Sequence, residues 1–259
     1  MRVAGELQYL PRAQQRVAAE SERVRAERDA FASFRNHVSE LNPESATSMG
    51  QKQANGSVVL SRTHTSTQFR RVRQAYRETV MKVSHYSEDY DEAIAVNLAN
   101  EFSEELSQAV VAGQHFTRRL KDALLAASEG ASENRQRFLS TLSREASDLR
   151  EAKMRLEQFE ERRRKIVSEK RGESYTELVE LWEELGSLGK MYDNFCSERQ
   201  SRIQSRRNNT ELSEDMPSLC GYLYDDLSVT HPVLAESIER LEYVRSDRQQ
   251  TLWLLARLD

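Results

Sequence analysis

The sequence predicts an all-α fold: a long helical hairpin or coiled-coil bundle joined to a compact helical subdomain. Three observations carry that prediction. Apolar residues recur every seven positions near the start, at Leu10, Val17, Val24, Phe31 and Val38. Such a repeat keeps one helix face apolar over many turns. All four prolines, Pro11, Pro43, Pro217 and Pro232, stand where helices should begin or loops should lie. Proline is tolerated in the first helical turn and damaging further in. Finally, 38% of the 259 residues are apolar and 31% charged, with a mean hydropathy of -0.75. Thin helices that each bury only a stripe suit that balance, and sustained periodicity argues against disorder.

Five segments follow in order. Residues 1–41 read as an N-terminal heptad helix, running from about Pro11 to Leu41. Ala13, Phe34 and Leu41 extend its stripe at the second heptad position, where Glu20 and Glu27 interrupt it. Residues 42–68 are a polar linker rich in Ser, Thr, Gln, Asn and Gly. Within it Ser57–Leu60 has the makings of a strand but no pairing partner. Residues 69–116 read as a compact subdomain of short helices. One carries Val72, Ala75, Tyr76, Thr79 and Val80, the next Ile94, Leu98 and Phe102, the third Leu106, Val110 and Val111 before Gly113.

Residues 117–207 predict a long helical hairpin. Thr117 is a good N-cap, and Phe138, Leu142, Leu149, Leu156 and Phe159 continue the apolar seam. A helix of some fifty residues spans roughly 75 Å. Gly172 reads as the hairpin turn, Ser174 with Glu177 as a capping box. The returning helix carries Leu178, Leu181, Leu185, Leu188, Tyr192, Phe195 and Ile203. Residues 208–259 read as C-terminal helices packing on the bundle. The last opens at Pro232, with Leu234, Ile238, Leu241, Val244, Leu252, Leu255 and Leu258 expected on its buried side. Trp253-Leu254-Leu255 is expected to pack on a neighbour.

Several function classes fall away on composition. The net charge is -4 with both signs interspersed, not the basic field of a nucleic-acid binder. Basic clusters occur at Arg70-Arg71-Arg73, Arg118-Arg119-Lys121, Arg162–Lys165 and Arg206-Arg207, but mixed signs usually mark a solvated, salt-bridged face. Cys196 and Cys220 make no disulfide framework and are expected as buried free thiols. No apolar run approaches the length that crosses a bilayer, and the opening residues lack a signal peptide's apolar core. A cytoplasmic protein without membrane insertion is expected.

Chemical motifs are equally sparse. A helical di-iron site needs Glu-x-x-His pairs, and none of the five histidines has a Glu three residues before it. His37 with Glu40 and His85 with Glu88 have the reverse order. There is no G-x-S-x-G elbow, no H-E-x-x-H and no phosphate loop. Gly186-Ser187-Leu188-Gly189-Lys190 lacks the spacing and the preceding strand, and reads as small-residue packing on a helix. The expectation is no enzyme, no catalytic or metal-binding residue and no cofactor.

The densest ionisable cluster is Ser84–Glu92. A calcium loop fails there, because Ile94 stands where the glycine should be. Acidic residues before a helix are expected to cap its free amides. Tyr76, His85, Tyr86 and Tyr90 are the candidate lining of a ligand pocket. The candidate interaction seam is Leu10, Val17, Val24, Phe31, Val38, Leu142, Leu149 and Leu156.

The stretch Val72-Arg73-Gln74-Ala75-Tyr76-Arg77-Glu78-Thr79-Val80-Met81, followed by His85-Tyr86 and Tyr90, resembles an uncharacterised family of helical proteins from haloarchaea. Echoes continue in Phe116-Thr117, Leu120-Lys121, Ala123-Leu124-Leu125, Arg137-Phe138-Leu139, Tyr222-Leu223-Tyr224 and Pro232-Val233-Leu234, so the resemblance covers most of the chain. It implies a source and a build, not a reaction. The expected role is a non-enzymatic helical scaffold or adaptor that binds protein, including itself as a homodimer, through coiled-coil surfaces. A nucleic-acid-associated regulator would instead show steeply salt-dependent binding. A ligand-sensing helical domain would need a pocket.

Overall fold

The computed structural model describes residues 7–44, 67–169, 174–209 and 218–257. The fold is all-α, and among these residues there is no strand. The helices are α1 (Tyr9–Ser39), α2 (Thr67–Thr79), α3 (Tyr86–Asp89), α4 (Ile94–Glu101), α5 (Glu104–Ala112), α6 (Arg118–Glu169), α7 (Tyr175–Asn209), α8 (Leu219–Leu223) and α9 (Pro232–Leu255), with a 3₁₀ turn at Val80–Lys82. Most of the polar stretch at 42–68, the Ser57–Leu60 segment, Gly172 and Leu258 lie outside the described residues.

Helix starts follow the capping residues. Thr117 Oγ1 accepts the Leu120 amide at 3.2 Å, and Ser174 Oγ accepts the Glu177 amide at 3.2 Å. Ser103 and Ser218 do the same for α5 and α8. Pro232 occupies the first turn of α9. Each cap satisfies an amide that has no partner inside the helix. The acidic segment before α4 behaves differently from expectation. Ala93 stands at the N-cap and no side chain caps it. Glu88 and Asp89 turn instead to Arg23, and Glu92 accepts the side-chain amides of Asn97 and Asn100. Asp91 takes a left-handed backbone with φ 40°, which aspartate tolerates better than most residues.

The chain packs into two compact units: residues 1–20 with 143–259, and residues 21–142. In the second, Phe31, Phe34 and Val38 of α1 meet Phe69, Val72 and Tyr76 of α2, Leu98, Val110, Phe116 and Leu124. Phe102 lies about 6 Å from the rings of Phe31, Phe34 and Tyr76. Gly113 is there for room: a Cβ at that position would come 2.7 Å from the Phe69 ring. Lys121 Nζ donates to the carbonyls of Ser39 and Leu41 at 2.6 and 2.7 Å, closing the end of α1.

In the first unit, α6 and α7 run antiparallel. Arg155 meets Glu198 at 2.7 Å and Arg202 meets Glu151 at 3.2 Å, while Phe159 packs 4.9 Å from Tyr192. Helix α9 is antiparallel to α7, with Arg248 on Trp182 and Arg245 near Asp193.

The facing of α9 corrects the sequence reading. Leu241 and Val244 are buried as expected, but Ile238 and Leu252 are 51% and 53% exposed and Trp253 is 57% exposed. The buried side carries Glu236, Ser237, Arg240, Asp247 and Thr251. All but Arg240, whose Nε has no hydrogen-bond partner among the described residues, are satisfied where they lie. Glu236 Oε2 accepts the amides of Gln8 and Tyr9 at 2.8 Å each, supplying the carboxylate that the first turn of α1 lacks. Ser237 and Thr251 donate to carbonyls one turn back, and Asp247 accepts from Arg163. Arg257 lies 4.5 Å over the exposed Trp253 ring.

Two leucines on the long helices then separate core from surface. Leu149→Ala should cost about 2–5 kcal/mol, because a fully buried side chain leaves a cavity. Leu252→Ala should stay within about 0.5 kcal/mol. Denaturant unfolding of the two variants measures the difference.

Candidate functional site

Three of the four residues singled out by the sequence converge around α3. His85 Nε2 lies 3.0 Å from Glu27 Oε1, and the Tyr90 hydroxyl donates to the same oxygen at 3.3 Å. Tyr86 stacks near Tyr90, ring centres 5.5 Å apart, and donates to the Glu92 carbonyl. Tyr76 belongs to a neighbouring set of bonds: its hydroxyl donates to Asn97 Oδ1 at 2.7 Å. His85 and Tyr76 are buried.

The centre of the network is a residue the sequence did not mark. Arg135 of α6 donates from Nε to Glu27 Oε2 at 3.1 Å. Its other two nitrogens grip Glu101 at 2.8 and 2.7 Å, a bidentate fork. Phe31 lies under the guanidinium at 4.7 Å. Burial alone would lower the Arg135 pKa, but the bonds and charges of Glu101 and Glu27 outweigh it and hold it above its ordinary value. Burial, with the Glu27 charge second, pushes the Tyr90 phenol up to about 12. Glu27 thus meets three groups: His85 just before α3, Tyr90 just after it, and Arg135 of α6. A general base needs a lone pair facing a substrate; here hydrogen bonds tie these carboxylates to their own chain. The network holds α1, α3, α4 and α6 in one register.

The same device recurs in the other unit. Glu145, fully buried, accepts from Arg199 at 2.7 Å and from the Tyr224 hydroxyl at 3.0 Å, and Arg199 also reaches Asp148 at 3.0 Å. Arg163 is held by Glu160 at 3.0 Å and by Asp247. The signal that could have found such groups is the glutamate inside an apolar stripe. Glu27 anchors Arg135, and Glu20 accepts the Tyr222 hydroxyl at 2.6 Å.

The eight residues of the expected seam, Leu10, Val17, Val24, Phe31, Val38, Leu142, Leu149 and Leu156, are at most 5% exposed within the single chain. Both cysteines are free; Cys220 is buried, while Cys196 is half-buried and burial raises its thiol pKa. Among the described residues no group of three His, Cys, Asp or Glu side chains could hold a metal ion, and no helix is long and apolar enough to cross a membrane.

With this geometry in view, comparison with known families places it. Residues 8–248 match the model of a family described as Domain of unknown function (DUF7260). The chain belongs to this family. The family's match takes in both units, the Glu27–Arg135–Glu101 network and the α7–α9 pair. No curated protein and no solved structure matches the chain.

Two tests address the network. Arg135→Met strands two carboxylates and should cost about 3–5 kcal/mol, the usual penalty for breaking a buried pair; urea unfolding reads it. Alkali tests the tyrosines. Burial raises the pKa of Tyr76, Tyr90, Tyr192 and Tyr224 in the fold. Unfolded tyrosines ionise near pH 10, so above that pH the unfolded state binds fewer protons and stability falls. Below it the contribution is complete. Fully buried Tyr76, Tyr192 and Tyr224 should each remove up to about 1.4 kcal/mol per pH unit. Phenolate absorbance should rise together with the loss of helical circular dichroism.

Proposed function

We propose that the protein is a non-enzymatic helical scaffold whose partner is another protein, docked as a helix along the outward side of α9. One observation supports the reading: α9 faces its polar residues inward and leaves Ile238, Leu252 and Trp253 exposed. Ile238, Arg245 and Leu252 are seven residues apart and share a face. They read apolar, cationic, apolar. The matching partner stripe is apolar, acidic, apolar at the same spacing. A second copy of α9 fits less well, since antiparallel self-pairing sets Arg245 against Arg245. The non-enzymatic part of the reading draws on the 76–101 region, whose histidine, tyrosines and Glu101 are bonded to other groups of the chain.

The test places a photo-crosslinking residue at position 252 in producing cells, identifies the joined chain, and measures its binding to purified protein. Ile238→Glu with Leu252→Glu should weaken binding at least tenfold, and Tyr175→Glu should not change it. Light scattering should give a monomer mass across concentrations. Equal affinity in the double variant, or crosslinks only between copies of this chain with a dimer mass, would overturn the proposal.

A further inference from the structure

Helices α7 and α9 enclose an open groove of about 410 Å³. Its cationic group is Arg248, whose guanidinium lies 3.9 Å from the centre of the Trp182 ring. Arg248 Nε is buried with no hydrogen-bond partner. Arg135, Arg163 and Arg199 each bind carboxylates from two residues. Neither Arg248 nor Lys190, also in the lining, has a carboxylate within 4 Å among the described residues. The remaining charged groups facing the groove are Glu183, Asp193 and Arg245, and Arg245 lies 3.6 Å from Asp193. The balance is one positive charge: beside the Arg245–Asp193 pair stand Arg248, Lys190 and Glu183.

The groove is shaped for that guanidinium. A Cβ on Gly186 would stand 3.2–3.3 Å from three of its atoms, so glycine at that point of α7 leaves Arg248 room to lie flat. Stacking on an indole fixes the plane of a guanidinium and leaves its edge free to donate. A fixed planar fork suits a carboxylate or phosphate, which it can take with two parallel bonds. Leu241 and Val244 supply apolar wall beside it. The volume belongs to the small-molecule range of roughly 300–1,000 Å³.

We infer that this groove binds a small organic anion, a carboxylate or phosphate monoester on a compact apolar body. Its charge sits at Arg248 and Lys190, its body against Leu241 and Val244. Gly186-Ser187-Leu188-Gly189-Lys190 serves here without being a phosphate loop. Its amides belong to the helix, and its contribution is the gap at Gly186 and the cation at Lys190.

The chain has two tryptophans, so Trp253→Phe leaves Trp182 as the sole indole and a reporter inside the groove. In that background, cyclohexanecarboxylate, cyclohexyl phosphate and neutral cyclohexanecarboxamide are titrated at constant ionic strength. Both anions should change the fluorescence saturably, and the amide should bind at least tenfold more weakly; the stronger anion names the preferred head group. Arg248→Gln should weaken anion binding tenfold or more. Gly186→Ala, which favours the helix intrinsically and so keeps the fold, should do so as well by displacing the guanidinium. Unchanged far-ultraviolet circular dichroism confirms both variants. Binding of the amide as tight as that of the anions, full binding by either variant, or no saturable response to either anion would overturn the inference.

Discussion

A chain with 31% charged residues cannot pair its helices without burying charge, and an unpaired buried charge is among the most costly defects a fold can carry. The structure depends on how that constraint is met. Where helices meet, an arginine from one is gripped by carboxylates, at least one of them from another helix. Arg135 joins α6 to Glu27 of α1 and Glu101 of α4; Arg199 joins α7 to Glu145 and Asp148 of α6; Arg163 joins α6 to Asp247 of α9. Such groups are poor net stabilisers, since well-packed apolar side chains of the same size do as well or better. The stripes supply the energy, on the order of 1.5–3 kcal/mol per buried aliphatic or aromatic side chain. The ion groups decide the register in which the stripes meet, because a helix slipped by one turn strands every one of them.

What the sequence disclosed, and what it hid, follows from this division. Periodicity is local, so the seam Leu10, Val17, Val24, Phe31 and Val38 was legible, as were the caps at Thr117 and Ser174 and the start at Pro232. The ion groups are not local. Glu27 meets His85 across 58 residues and Arg135 across 108. The cluster of His85, Tyr86 and Tyr90 was visible in the chain, but the carboxylate and guanidinium that organise it were not. Glu20 and Glu27 stood out only as interruptions of an apolar stripe. Those interruptions are its polar anchors, held by Tyr222 and by Arg135.

Helix α9 shows where hydrophobic pattern alone misleads. Its apolar residues do not form one stripe, and two faces compete for the interior. The winning face is the one whose polar groups find partners: Glu236 at the first amides of α1, Asp247 at Arg163, Ser237 and Thr251 on their own helix. Ile238 and Leu252 are displaced outward as a result. An exposed leucine is ordinary in any protein. A helix that buries glutamate, arginine and aspartate while exposing isoleucine, leucine and tryptophan is less so, and the outward face is the one with surface to offer another chain.

Arg248 tests the rule that governs the core. It stands between two helices, as Arg135, Arg163 and Arg199 do, yet an indole takes the place of the carboxylates. Cation–π contact returns about 0.5–2 kcal/mol, less than a bidentate carboxylate supplies to a desolvated guanidinium, and it leaves the hydrogen-bonding edge unused. Register therefore does not account for Arg248 as it accounts for the others, since no acidic group on a facing helix would be stranded by a slip. What accounts for it is the combination at one point: a glycine that makes space, a ring that fixes the plane, and a second cation at Lys190. Arg135, Arg163 and Arg199 are taken up by carboxylates of the fold; Arg248 lies on an indole in the wall of a groove.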